Sequence, residues 1–167
     1  YPLLEFKNVN AFIKKGGIKY VNEFYKKRAK RYGLSEEIDQ WGKYILVRLA
    51  LREQHFPTFN LLMNEFKSTD FIEKLQNWQI GPFAKLYLDN NRLNEAIFLY
   101  KKIIKNNPES TKAYFELSKI YLKKGNKIKA KMHIKKAIKY AEKKNDKNLL
   151  IYKKALKLEL HCRRRRE

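Results

Sequence analysis

Acidic side chains, cysteine, glycine and proline are all scarce in this sequence, and each shortage removes a class of protein. A single cysteine, Cys162, can form neither an internal disulfide nor a thiolate metal cluster, so cysteine usage points to no redox compartment. Three histidines, His55, His133 and His161, lie too far apart in sequence to share a metal at the usual spacings, so no metal site and no cofactor is expected. Six Gly and four Pro leave few breaks in the chain and no Gly-rich phosphate loop. Neither a Gly-x-Ser-x-Gly elbow, a His-Glu-x-x-His pair nor a Cys-His arrangement with a supporting acid occurs, so no catalytic residue is expected and the chain does not read as an enzyme. Glu36, Glu37 and Asp39 are adjacent, which puts them on different helix faces, and capping accounts for them without acid-base chemistry. Apolar runs such as Tyr44 to Leu51 are broken by Arg or Lys well short of the roughly 20 residues that cross a bilayer, so no membrane span is expected. The chain starts at Tyr1 without Met and shows no signal pattern, as a processed chain or a piece of a longer one would. Nothing in it fixes a compartment.

What is present is helical. The sequence is 44% apolar over 167 residues, enough for a core, and runs of alternating β-branched residues are absent. The expected class is all-α. Residues 1–16 read as an irregular lead-in ending at Gly16 and Gly17, whose backbone entropy disfavours a helix interior. From Ile18 to Tyr32, the apolar Ile18, Val21, Phe24, Tyr25 and Ala29 recur at helical spacing and Gly33 suits the C-terminal cap. Ser35 with Glu36 and Glu37 reads as the cap and acidic first turn of a second helix to about Glu53, which would pair with the first as a hairpin. Pro57 suits the first turn of a short helix to Phe66, and Thr69 or Asp70 could cap another through Trp78. Gly81 and Pro82 then predict a kink or break.

The sequence repeats itself at an offset of 34 residues. Phe83 aligns with Leu117, Ala84 with Ser118, Tyr87 with Tyr121, Ala96 with Ala130, Tyr100 with Ile134, and Ile103 with Ala137. The first copy reads Ile80, Phe83 and Ala84, Tyr87, Ala96, Tyr100, Pro108; the second reads Tyr114, Leu117 and Ser118, Tyr121, Ala130, Ile134. This pattern resembles the tetratricopeptide repeat, in which small residues let two antiparallel helices approach and bulky ones fill the groove between hairpins. The expected fold is therefore a set of helical hairpins stacked as a short, right-handed superhelix. Two such hairpins plus a closing helix would occupy residues 77–160, with residues 17–76 as a helical cover on the N-terminal side and residues 161–167 as a basic disordered tail. Leu149, Leu150, Tyr152, Ala155, Leu156 and Leu158 would supply the closing helix, since a two-repeat array needs caps.

The resemblance implies a groove lined by the first helix of each hairpin. Its candidate contacts are Lys85, Leu88, Lys112, Phe115, Lys119, Leu122, Lys123 and Lys153. Lys85, Lys119 and Lys153 recur at the repeat period and would form a basic ladder for a carboxylate or an acidic peptide, so the expected partner is a protein or acidic peptide.

Basic residues outnumber acidic ones by 39 to 17, and the excess is C-terminal: residues 101–167 hold 23 basic and 6 acidic side chains. Such a field attracts nucleic acid or an anionic surface, and Arg163 to Arg166 could grip phosphates, which gives the alternative function. Yet 30 of the 39 are Lys, accompanied by abundant Asn, Ile, Tyr and Phe, the set that AT-rich coding favours, and lysines spaced from Lys123 to Lys144 also describe a solvated helix face. Finally, residues 4–33, with Phe6, Phe12, Gly16 and Gly17, Tyr20, Phe24 and Tyr25, and Arg28 to Gly33, resemble the stretch that joins a catalytic domain to its tail in certain bacterial esterases of the α/β-hydrolase type. That resemblance implies a covalently linked catalytic domain upstream of Tyr1 and places no catalytic residue in this chain.

Overall fold

Asn8, Asp39 and Asn126 each turn a side-chain oxygen onto a backbone N–H three residues ahead, at 2.7–3.0 Å, and so open three helices. The computed structural model describes residues 6–161. Within them lie ten helices, namely α1 (Val9–Lys14), α2 (Gly17–Tyr32), α3 (Gln40–Arg52), α4 (Phe56–Glu65), α5 (Ser68–Glu73), α6 (Asn77–Asp89), α7 (Leu93–Asn106), α8 (Thr111–Lys123), α9 (Lys127–Lys143) and α10 (Leu149–His161). No strand occurs among the described residues, and the fold is all-α. The chain divides into two compact units, residues 1–79 and 80–167. Cys162 and the Arg163 to Arg166 run lie outside the described residues.

Several local expectations for the first unit need correction. The lead-in is not wholly irregular: the Asn8 cap nucleates α1, and the Glu53 carboxylate accepts the Val9 N–H at 2.8 Å. The cap of α3 is Asp39 and not Ser35, because Ser35 spends its hydroxyl on a local turn, accepting the Glu37 N–H at 3.2 Å. Tight pairing is between α3 and α4 rather than between α2 and α3. The reason lies in α3 itself, where Tyr44, Leu46, Val47, Ala50 and Leu51 are all buried, so it packs over most of its circumference. The helix after Ser68 ends at Glu73 instead of running to Trp78, and Trp78 falls in the first turn of α6, where its ring lies 5.4 Å from that of Trp41.

Gly81 and Pro82 do not break α6. Pro82 falls in the second turn, where its missing N–H costs one intrahelical bond, and the first turn is secured by Gln79, whose Oε1 accepts the Gln76 N–H at 2.8 Å. Ile80, Phe83, Ala84 and Tyr87 are buried around it, and that burial outweighs the lost bond. A Cβ added at Gly81 meets nothing within 4 Å. Gly81→Ala should therefore stabilise the protein by about 0.5–1 kcal/mol in a denaturant titration, the helix-propensity difference with no steric offset.

In the second unit the hairpin turns repeat bond for bond. Arg92 N–H donates to Tyr87 O at 2.8 Å and Asn126 N–H to Tyr121 O at 2.8 Å, while Asn91 and Gly125 N–H reach Leu88 O and Leu122 O at 2.9 and 2.8 Å. Asn91 and Gly125 both take positive φ, 56° and 74°, in the left-handed conformation that ends a helix and reverses the chain. The small residues Ala84, Ser118, Ala96 and Ala130 are all fully buried, as close helix approach requires. Ser118 satisfies its hydroxyl by donating to Phe115 O at 2.7 Å. Helix α10 packs on α9 and adds Tyr152, with Leu149, Ala155 and Leu156 partly buried beside it. Its cap is narrower than expected, for Leu150 is 71% exposed and Leu158 is 70% exposed.

Candidate peptide-binding surface on the repeats

Lys85 and Lys119 are the ninth residues of α6 and α8, and Leu88 and Leu122 follow each of them by three. Equal phase in two helices that enter equivalent turns places the two Lys and Leu pairs at the same position of successive hairpins. Lys85 is exposed, Leu88 is half-buried, and Leu122 is 37% exposed. Phe115 stands one turn before Lys119, half-buried against Tyr152 with ring centroids 4.8 Å apart. The Lys119 ammonium lies 4.9 Å above the Phe115 ring and 2.7 Å from the Glu116 carboxylate, so this lysine is held in place. Lys112 and Lys123 are exposed and make no ion pair among the described residues.

Lys153 does not extend the ladder. It is the fifth residue of α10 and not the ninth, because α9 runs for 17 residues where α7 runs for 14 and the connection after it is one residue longer. Its ammonium instead meets Glu142 at 2.7 Å, at the C-terminal end of α9. The connection between α9 and α10 is pinned separately: the Thr111 hydroxyl donates to Asp146 at 2.8 Å, and the backbone N–H of Asn148 also donates to Asp146. These bonds to the charged form, the Asn148 backbone bond first, hold the Asp146 carboxyl below its usual range. Glu109 is lowered by its bond to Lys143 and by Lys144 beside it.

The sequence alone leaves open whether His133 is structural or solvated. It is buried at the repeat position that Leu99 occupies one hairpin earlier. Its ring stacks on Tyr121 at 5.2 Å with 1° between planes and on Tyr114 at 6.0 Å. Burial first, and then the like charges of Lys136, Lys101 and Lys129, push its pKa below 6.5, and its Nδ1 has no hydrogen-bond partner. In the folded chain the base is held neutral, so the unfolded state takes up the proton first on acidification. Stability is full above about pH 6.5 and declines below it. Replacement by the residue of the preceding repeat, His133→Leu, should flatten that decline; melting midpoints measured from about pH 7.5 to about 5.5 check it. His55 has a different task, capping α4 by accepting the Thr58 N–H at Nδ1.

No group of three or more His, Cys, Asp or Glu among the described residues is arranged to hold a metal ion. Nor, among them, is any helix long and apolar enough to cross a membrane. A concavity in the first unit lies between α2, α3, α4 and α5, where Lys26, Lys43, Lys67 and Lys74 alternate with Glu36, Glu37, Glu65 and Asp70. Charges of both signs there cancel any directed field.

Antiparallel helix pairs of constant period, joined by identical turns and closed by a further helix, define a helical-hairpin repeat protein. Two models of the tetratricopeptide repeat family match the chain, over residues 83–110 and 99–132. The chain carries tetratricopeptide repeats over this span, a motif whose usual work is protein-protein contact and not catalysis. Comparison with curated proteins finds no match.

Proposed function

We propose that the second unit is a scaffolding module that takes an acidic peptide segment of a partner protein along α6 and α8. The observation that carries this reading is the repeated Lys and Leu pair, Lys85 with Leu88 and Lys119 with Leu122, at one phase of two successive hairpins. Lysines offer point charges to carboxylates, and the adjoining leucines and Phe115 offer apolar contact for alternate side chains of an extended peptide. Fixing Lys119 on Phe115 beforehand reduces the ordering cost of binding. The Glu116 carboxylate sets specificity against neutral peptides, since a ligand must supply an acid to displace it.

The test is selection from a displayed library of acidic, leucine-containing peptides, followed by titration of a fluorescent binder. Lys119→Glu should weaken binding at least tenfold, whereas Lys153→Glu, outside the ladder, should change it less than about twofold. Equal binding by wild type and Lys119→Glu overturns the reading. Tighter binding of a generic DNA duplex, with a steep salt dependence lost at the same residues, would favour the nucleic-acid alternative. The likeness of residues 4–33 to the joint of bacterial esterases supports a narrower version, in which the module is the accessory region of such an enzyme. A parent reading frame without a Gly-x-Ser-x-Gly segment ahead of Tyr1 removes that version and leaves the peptide site standing.

A further inference from the structure

The outer faces of α7 and α9, which the peptide site does not use, carry one pattern twice. Asn94, Phe98, Lys101 and Lys105 follow one another at spacings of four, three and four along α7, which lines them up on a single face. Thirty-four residues later, Ile128, Met132, Lys135 and Lys139 do the same along α9. All eight side chains are exposed. Phe98 is 55% exposed, Ile128 83% and Met132 45%, three large apolar groups left in water on helices that bury their opposite faces well. The Lys124 ammonium reaches Asn94 Oδ1 at 2.8 Å, which sets the start of α7 beside the turn into α9. Helices in equivalent repeat positions run in the same direction, so Phe98 on α7 and Ile128 and Met132 on α9 lie toward one end of their stripes and the lysines toward the other.

The net charge on each of these helices is positive. Glu95 is the sole acid of α7 and is paired with Arg92 at 2.7 Å; Glu142 is the sole acid of α9 and is paired with Lys153. Lys101 with Lys105 and Lys135 with Lys139 are like charges one turn apart, an arrangement that costs helix stability and is relieved when an anion lies across them. A nucleic-acid backbone would satisfy the lysines but offers nothing to Ile128 or Met132, which cannot stack on a base as an aromatic ring does. A second copy of this strongly basic chain would meet its own lysines. Exposed aliphatic groups within an unbroken positive field match an anionic bilayer surface, whose acyl boundary accepts the apolar groups and whose headgroups accept the lysines.

We propose that the outer face of α7 and α9 is a peripheral binding surface for anionic lipid, with Phe98, Ile128 and Met132 entering the headgroup boundary and Lys101, Lys105, Lys135 and Lys139 contacting the headgroups. Each lysine close to an anionic leaflet contributes about a fivefold gain in partition, so four of them with three apolar groups suffice for reversible attachment. Flotation of the full chain with phosphatidylcholine vesicles, with and without phosphatidylserine, tests this. Binding is expected only with phosphatidylserine, and the triple variant Phe98→Ser, Ile128→Ser, Met132→Ser, which leaves the charge unchanged, should bind at least tenfold less. The double variant Leu150→Ser, Leu158→Ser, which removes two equally exposed apolar groups from α10 and leaves the charge unchanged, makes a control outside the proposed face. It should lose less than about threefold, because only apolar groups that enter the headgroup boundary contribute appreciably. All three replaced side chains of the triple variant are exposed, so circular dichroism should show an unchanged melt. Wild-type-like binding by the triple variant, or no binding of wild type to phosphatidylserine vesicles, overturns the proposal. Capture of a DNA duplex with no vesicle binding overturns it in favour of nucleic acid.

Discussion

Leu117→Ala is expected to destabilise the protein by about 3 kcal/mol, at the lower end of the range for burial lost in a core that cannot collapse. Leu117 is fully buried, and Ser118 beside it in α8 is too small to reach into the space left behind. The removed atoms therefore lose both their transfer energy and their contacts, and the cavity remains. For a chain of this size the melting midpoint should drop by on the order of 10 °C. Leu150→Ala supplies the contrast. The same atoms are deleted from a side chain in water, and the expected change stays within about 0.5 kcal/mol. Similar losses at both positions would mean that α10 is covered in solution.

Ala130→Leu should cost about 2–3 kcal/mol in the opposite sense, by overpacking. Ala130 is fully buried in α9, and Ala96 is fully buried at the equivalent repeat position in the first hairpin. Three added carbons must separate α8 from α9, the most closely packed pair of the unit. Urea titration would show a lowered midpoint with an unchanged slope if the hairpin only loosens, since the surface exposed on unfolding is then the same. Stability equal to wild type would refute the close approach on which the repeat assignment rests.

The two predictions concern positions that the 34-residue offset marks directly. Phe83, Ala84, Tyr87, Ala96, Tyr100, Leu117, Ser118, Tyr121, Ala130 and Ile134 are all buried, because one spacing that satisfies two helices and a turn leaves little freedom for the residues within it. The chain also shows where one-dimensional reasoning loses hold. Extrapolating the offset to Lys153 assumed a constant repeat length, and three extra residues in α9 with one more in the connection after it shift α10 by about one turn, carrying that lysine to Glu142. Gly81 and Pro82 read as a break because their local cost is visible in sequence, whereas the burial of Ile80, Phe83 and Tyr87 that offsets it depends on neighbours distant in the chain. Ser35 and Asp39 are both good cap residues, and propensity alone does not choose between them.

By itself the sequence determined the helical class, the repeat period, the buried positions within the repeats and the basic character of their surfaces, since periodicity and charge are properties of the linear chain. Tertiary structure decided which of those lysines share a face. Lys85 and Lys119 share a phase, Lys153 leaves it, and Lys101, Lys105, Lys135 and Lys139 line up with Phe98, Ile128 and Met132 on outward faces. Composition cannot distinguish a lysine in a groove from one on an outer face, because the charge is the same and only the packing of the remaining side chains sets where it points.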